Sequence, residues 1–169
     1  MPPEILTCER PGVVLVPLAR GDEDELRRIV ATAEVHRWWD RQPDDFPWDE
    51  PEATRLTIRV DSAVAGLIQF WEETEPKYRY ASVDLFLDPA VHGRGIGTDV
   101  LTCLVRHLIE DRGHHRITID PAVDNGAAIR SYEKAGFRRV GVMRAYERDV
   151  GGDGWHDGLL MELVAEGRS

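Results

Sequence analysis

The sequence predicts an α/β (α+β) fold in a single domain. Its core is a mixed, partly parallel sheet of about six to seven strands flanked by helices. Three observations predict it. Short apolar runs bounded by turn residues recur along the chain, as in Thr54–Val60 and Val64–Trp71. Two segments in the second half carry apolar residues at helical spacing between strand-like runs, the order of crossover connections. Residues 92–97, His-Gly-Arg-Gly-Ile-Gly, stand between a strand-like run and an amphipathic helix. Strand, glycine-rich turn, helix is the order that makes a helix N-terminus an anion site, because free N–H groups and the positive dipole end converge there.

The elements follow in order. Val13–Val16 reads as the first strand, ended by Pro17. Asp22 with Glu25 marks a helix start, and Leu26, Ile29, Val30 and Ala33 follow at helical spacing. Pro43, Pro47 and Pro51 among acidic residues make 40–53 a loop. Two strands flank the turn Asp61-Ser62, and Glu72–Lys77 is a further loop. In the strand 80–87, Val83, Leu85 and Leu87 share one face, Asp84 and Phe86 the other. The next helix carries Leu101, Leu104, Val105, Leu108 and Ile109 on one stripe and ends near Arg112-Gly113. Ile117 and Ile119 alternate in a strand finishing at Asp120-Pro121. A helix runs from about Asn125 to Ala135, stopped by Gly136. Phe137–Val142 and Leu159–Val164 are the last strands, separated by a loop at Gly151–Gly154.

A chain of 169 residues with 42% hydrophobic and 31% charged residues suits one globular domain over 1–169. No apolar run approaches the roughly 18–20 residues of a membrane span, and Met1-Pro-Pro-Glu opens no secretory signal. Cys8 and Cys103 form neither a metal-ligand spacing nor a disulfide framework, so a reduced, cytoplasmic protein is expected. His36, His107, His114, His115 and His156 show no metal spacing either. The net charge of −10 argues against nucleic acid as a partner and favours a cationic substrate.

A second signature lies thirty residues beyond the glycine turn, Asn125-Gly-Ala-Ala-Ile-Arg-Ser-Tyr-Glu-Lys-Ala-Gly-Phe137. With it, the chain resembles the GNAT acetyltransferases. His92-Gly-Arg-Gly95-Ile-Gly97 matches that superfamily's Arg/Gln-x-x-Gly-x-Gly/Ala cofactor motif except at its first position. Arg94 adds charge beside the departure. Asn125, Ala128 and Tyr132-Glu-Lys-x-Gly-Phe137 are similar to its second cofactor motif. Within the superfamily the chain looks most like the aminoglycoside 6′-N-acetyltransferases. The segments that carry this are His36-Arg-Trp38-Trp39, Val83-Asp84-Leu-Phe-Leu87 and Ile119-Asp120-Pro121. The siderophore lysine N-acyltransferases share the Trp-Trp pair, but the strand His they resemble one another by is missing from 78–88.

The resemblance implies acetyl-CoA as cofactor and a small-molecule amine as partner, with no nucleic acid or membrane, in a monomer or homodimer. It places Leu85, Phe86 and Leu87 alongside the pantetheine arm. His92, Gly93, Arg94, Gly95, Ile96, Gly97 and Thr98 fall at the pyrophosphate, with Asn125, Ala128, Tyr132 and Lys134 completing the cofactor site. Tyr132 is implied as the group stabilising the departing sulfur, and Asp120 as the base, with Asp84 the other candidate. A carboxylate can take the amine proton, and a phenol can donate to a thiolate. Trp38 and Trp39 suit a sugar ring or an ammonium group. Glu72, with Glu73 and Glu75, and Asp157 are acids that could receive an amino sugar's charges. Acetyl transfer to a protein N-terminus, lysine or polyamine stands as the alternative, as does a non-catalytic acetyl-CoA-binding module.

Overall fold

The computed structural model describes residues 4–167. Met1, Pro2 and Pro3, part of the segment read above as opening no secretory signal, lie outside the described residues. One mixed sheet of eight strands runs in the order β1-β2-β3-β4-β5-β6-β8-β7. The strands are β1 (Leu6–Thr7), β2 (Val13–Pro17), β3 (Thr54–Val60), β4 (Ala63–Glu73), β5 (Tyr80–Leu87), β6 (Arg116–Ile119), β7 (Arg138–Arg148) and β8 (Trp155–Val164). The helices are α1 (Glu23–Val30), α2 (Ala33–Trp39), α3 (Ile96–Glu110) and α4 (Gly126–Lys134). All strand pairs are antiparallel except β5–β6, which α3 connects as a crossover.

Each sheet face buries its own apolar set. Leu56, Ile58, Ile68, Phe70, Val83 and Leu85 pack with Val100, Leu101, Leu104 and Leu108 of α3. Leu67 and Phe86, of opposite parity, pack with Leu26, Ile29 and Val30 of α1, Val35 of α2 and Phe46 of the following loop. The face assignment expected for residues 83–87 therefore holds.

Several expectations are corrected. β1 makes the sheet one strand larger than foreseen; two residues carry no readable period. Asp22 stands at the N-cap of α1, as expected, but its side chain makes no cap hydrogen bond. Its carboxylate instead accepts from Thr57 Oγ1 and the Arg59 guanidinium, each at 2.7 Å, which ties the start of α1 to β3. Ala33 belongs to α2, not α1, because Thr32 turns extended and its hydroxyl donates to the Ile29 carbonyl at 2.6 Å. The last two strands are longer than read, and a tight turn at 149–154 joins them. Cys8 and Cys103 are free, buried thiols in the α3 core. Cys8 follows β1, and the next two amides, of Glu9 and Arg10, donate to Asp99 of α3 at 3.1 and 3.0 Å.

Candidate active site

The cleft originates in a strand separation. β5 pairs with β6 only at Ala81–Ile117 and Ser82–Thr118, and beyond these the two strands part. On its other side β5 stays paired with β4 up to Leu87. One backbone edge of Val83–Leu87 thus lacks a strand partner among the described residues, and an extended ligand arm can add there. The resulting cleft has a volume of about 790 Å³.

Its α3–α4 side is built for an anion. Gly93 and Gly95 have φ of 75° and 74°, which a side chain would strain. Gly95 is the N-cap of α3, and no side chain caps the helix, so its first-turn amides face the cleft free of a side-chain partner. Gly93, Gly95, Ile96, Gly97 and Thr98 all line the cleft. The Arg10 guanidinium lies against Gly95, where a Cβ would stand. Arg10 comes from the β1–β2 turn and does not line the cleft. His92 Nε2 donates to the Leu87 carbonyl at 2.9 Å, fixing the end of β5 against the loop. Thr98 Oγ1 meets Ser131 Oγ at 2.9 Å and holds α3 to α4. Asn125 caps α4 as expected, its Oδ1 accepting from the Ala128 N–H at 3.2 Å. Ala128, Arg130 and Lys134 continue the lining. Arg94, expected here, is exposed and does not line the cleft, because the positive φ of its neighbours turns it outward.

The β4–β5–β6 side is acidic and aromatic. Asp84, Asp120, Tyr132, Trp38 and Trp39 all line the cleft, as foreseen. Trp39 also packs edge-on against Phe86, with ring centres 4.9 Å apart, and Trp38 lies under the Arg37 guanidinium at 4.6 Å. Burial, followed by the nearby Asp120, pushes the Asp84 carboxyl up to about 8; its Oδ1 accepts from the Leu85 N–H at 2.9 Å. The Leu85 amide, on the strand that the resemblance places alongside the pantetheine arm, is thus held by Asp84. Burial also raises the Asp120 carboxyl, partly offset by a hydrogen bond from the Tyr146 hydroxyl. Burial, with Asp84 and Asp120 nearby, pushes the Tyr132 phenol up, so it stays protonated and can donate.

Two predicted acids stand elsewhere. Glu72 is on β4, not in a loop, and points to the face opposite Gln69 and Trp71. Its carboxylate is bonded by Arg112 and by His114 Nε2, the latter at 2.6 Å. Asp157 Oδ1 accepts from the Ala145 N–H at 2.8 Å and supports β7 rather than the cleft. In exchange the structure brings in Glu34, Glu50, Trp71 and Glu147, which the sequence did not single out. The spacing that unites them is tertiary and leaves no local signal. Among the described residues no three His, Cys, Asp or Glu form a metal cluster, and no helix is long and apolar enough to cross a membrane.

Residues 20–137 match the acetyltransferase (GNAT) family. The chain belongs to the GNAT acetyltransferase family. Among solved structures, this GNAT chain is similar to Mycobacterium smegmatis RimJ in complex with CoA-disulfide, with a TM-score of 0.84, 22% identity and coverage of 97% of this chain and 88% of that one. It is similar also to AAC(6′)-Ib in complex with ribostamycin and coenzyme A, with a TM-score of 0.75, 24% identity and coverage of 94% and 98%. Among curated proteins it is 29% identical to the mycothiol acetyltransferase of Rhodococcus erythropolis, over 86% of this chain and 52% of that protein. It is 42% identical to the aminoglycoside N(6′)-acetyltransferase type 1 of Klebsiella pneumoniae, over 44% of this chain and 37% of that protein. The GNAT chain thus spans about half, or less, of the length of these two relatives.

Proposed function

We propose that the protein is an acetyl-CoA-dependent N-acetyltransferase that acetylates a primary amine, the 6′-amine of an aminoglycoside, by direct attack in a ternary complex. The observation that carries this reading is the single cleft in which an open β5 edge, an uncapped α3 N-terminus, two carboxylates and one protonated phenol face the same space.

Acetyl-CoA, when bound, supplies the acetyl thioester. The α3 amides and the glycine loop hold its pyrophosphate, and Arg130 and Lys134 add positive charge on the α4 side. The free edge of β5 orients the extended arm. Asp120, at the end of β6, takes the proton of the acceptor ammonium. Asp84, which burial keeps largely protonated near neutral pH, binds the acceptor and gains its charge only when a cation arrives. Tyr132 holds a proton at its hydroxyl for the departing sulfur. Trp38 and Trp71 offer flat apolar surfaces to a sugar ring. In this division of labour one carboxylate is the base, the other binds the acceptor, and the phenol is the acid.

The test is coenzyme A thiol release against aminoglycosides with and without a 6′-amine, polyamines, lysine compounds and protein N-terminal peptides. The mycothiol relative covers more of the chain than the aminoglycoside relative, so the acceptor of the mycothiol enzyme belongs in the panel. Turnover only with 6′-amino aminoglycosides is expected. Turnover confined to another amine would keep the enzyme and discard the aminoglycoside, and tight acetyl-CoA binding without turnover would support a binding module.

A further inference from the structure

The last hairpin of the sheet carries an irregularity aimed at Asp120. Met143 pairs with Gly158 and Glu147 with His156, so Arg144, Ala145 and Tyr146 stand opposite Asp157 alone. Ala145 adopts φ of 47° in this bulge, and its N–H donates to Asp157 Oδ1 at 2.8 Å. A bulge bends its strand and re-aims side chains. Here it sets the Tyr146 ring over bare backbone: a Cβ on Gly158 would stand 2.8 Å from the ring's Cδ2. The Tyr146 hydroxyl then donates to Asp120 Oδ2. The segment after Asp120 is fastened to the same stretch of β8. The Leu159 N–H donates to the Pro121 carbonyl at 2.8 Å, and the Val123 N–H to the Asp157 carbonyl at 3.1 Å. Donor and acceptor therefore share one backbone frame.

We propose that Tyr146 is a positioning residue for Asp120: its hydroxyl fixes Oδ2 and leaves Oδ1 to meet the acceptor amine. The proposal rests on Asp120 being the base. The groups around Asp120 set the sign of the effect. The titratable groups near it are Asp84 of β5, held largely protonated by burial, Glu147 of β7, the neutral phenol of Tyr132 of α4, and His156 of β8 beside Glu147. Tyr146 supplies a side-chain hydrogen bond that favours the ionised carboxylate, ahead of a backbone hydrogen bond at Asp120 itself; without the Tyr146 donor, burial drives Asp120 further towards the protonated form.

Tyr146→Phe keeps the ring over Gly158 and removes only the donor. The Asp120 carboxyl is followed by carbon-13 NMR titration, its signal assigned by its loss in Asp120→Asn; this readout needs no acceptor. The expected result is a titration midpoint raised by about one pH unit in Tyr146→Phe. The acid limb of kcat/KM should rise by the same amount, with acetyl-CoA affinity unchanged. An unmoved midpoint overturns the proposal, even where Asp120→Asn has slowed acetylation and so upheld Asp120 as base. Wild-type turnover in Asp120→Asn overturns the base assignment itself, and the positioning role with it, whatever the midpoint does.

Discussion

Asp84→Asn is expected to stabilise the protein, increasingly so as pH rises. The Asp84 carboxyl titrates near 8 in the folded chain, against 3.8 for the free side chain, because burial and Asp120 oppose its charge. Between those two values the folded chain holds a proton that the unfolded chain has released. Wild-type stability therefore falls as pH climbs through this window and levels off above the folded value. A rise of about four units at about 1.36 kcal/mol each sets a ceiling of about 5–6 kcal/mol. The side chain lines an open cleft, so solvent screens part of this, and about 1–3 kcal/mol is expected at pH 8. Asparagine retains an Oδ1 to accept the Leu85 N–H, so the geometry of β5 survives. The assay is urea unfolding of both proteins at unit steps from pH 5 to pH 9. The gap between them should be small at pH 5 and widen to pH 8. A gap that does not change with pH, or a variant less stable than wild type at pH 8, would refute the argument.

Three further outcomes follow from the same geometry. Asp120→Asn should lower kcat about a hundredfold or more while calorimetry finds acetyl-CoA affinity unchanged; a wild-type rate would remove Asp120 as the base. Gly66→Ala places a Cβ against the Phe86 carbonyl and 3.0 Å from the Leu87 Cα. It should cost about 1–3 kcal/mol in urea unfolding, because both obstacles are backbone, and a negligible cost would show that β4 and β5 slide apart freely. Glu72→Gln leaves Arg112 and the buried His114 without their shared carboxylate. It should lose about 1–3 kcal/mol of stability with kcat retained, whereas loss of kcat at unchanged stability would return Glu72 to the acceptor site.

The α3–α4 side of the cleft is legible in the sequence, and its acidic, aromatic side only in part. Gly93 and Gly95 are demanded by backbone of positive φ, so a six-residue window displays them. Asn125 is legible for the same reason, since a helix cap is a local contact. Glu72 misled because acidity resembles a loop, while the ladder Glu72–Ala81 and Glu73–Tyr80 carries β4 through it. Its partners lie 40 and 42 residues away, beyond any pattern a window can hold. Tyr146 and Glu147 were hidden by the bulge of β7, which interrupts the alternation that marks a strand. Trp71 was read as strand and not as cleft, because the parting of β5 from β6 decides which face is open, and no residue of β4 encodes that.

The net charge of −10 gains meaning only once paired acids are set apart from unpaired ones. Asp22 is held by Arg59, Asp49 by Arg55, Glu72 by Arg112 and His114, and Glu162 by Arg116. Asp99 and Asp157 are occupied by backbone amides. These acids are bonded within the fold. Asp84, Asp120 and Glu147 line the cleft, and each is pushed towards its protonated form, first by burial. Such a cluster is unfavourable in the empty protein and favourable once a cation enters, since an opposing charge relieves both burial and mutual repulsion. An acceptor carrying two ammonium groups would relieve more of it than one carrying a single group. Affinity should therefore climb with acceptor charge across an amine series of equal size, weaken with added salt, and lose that dependence in a chain with Asp84 and Glu147 neutralised together.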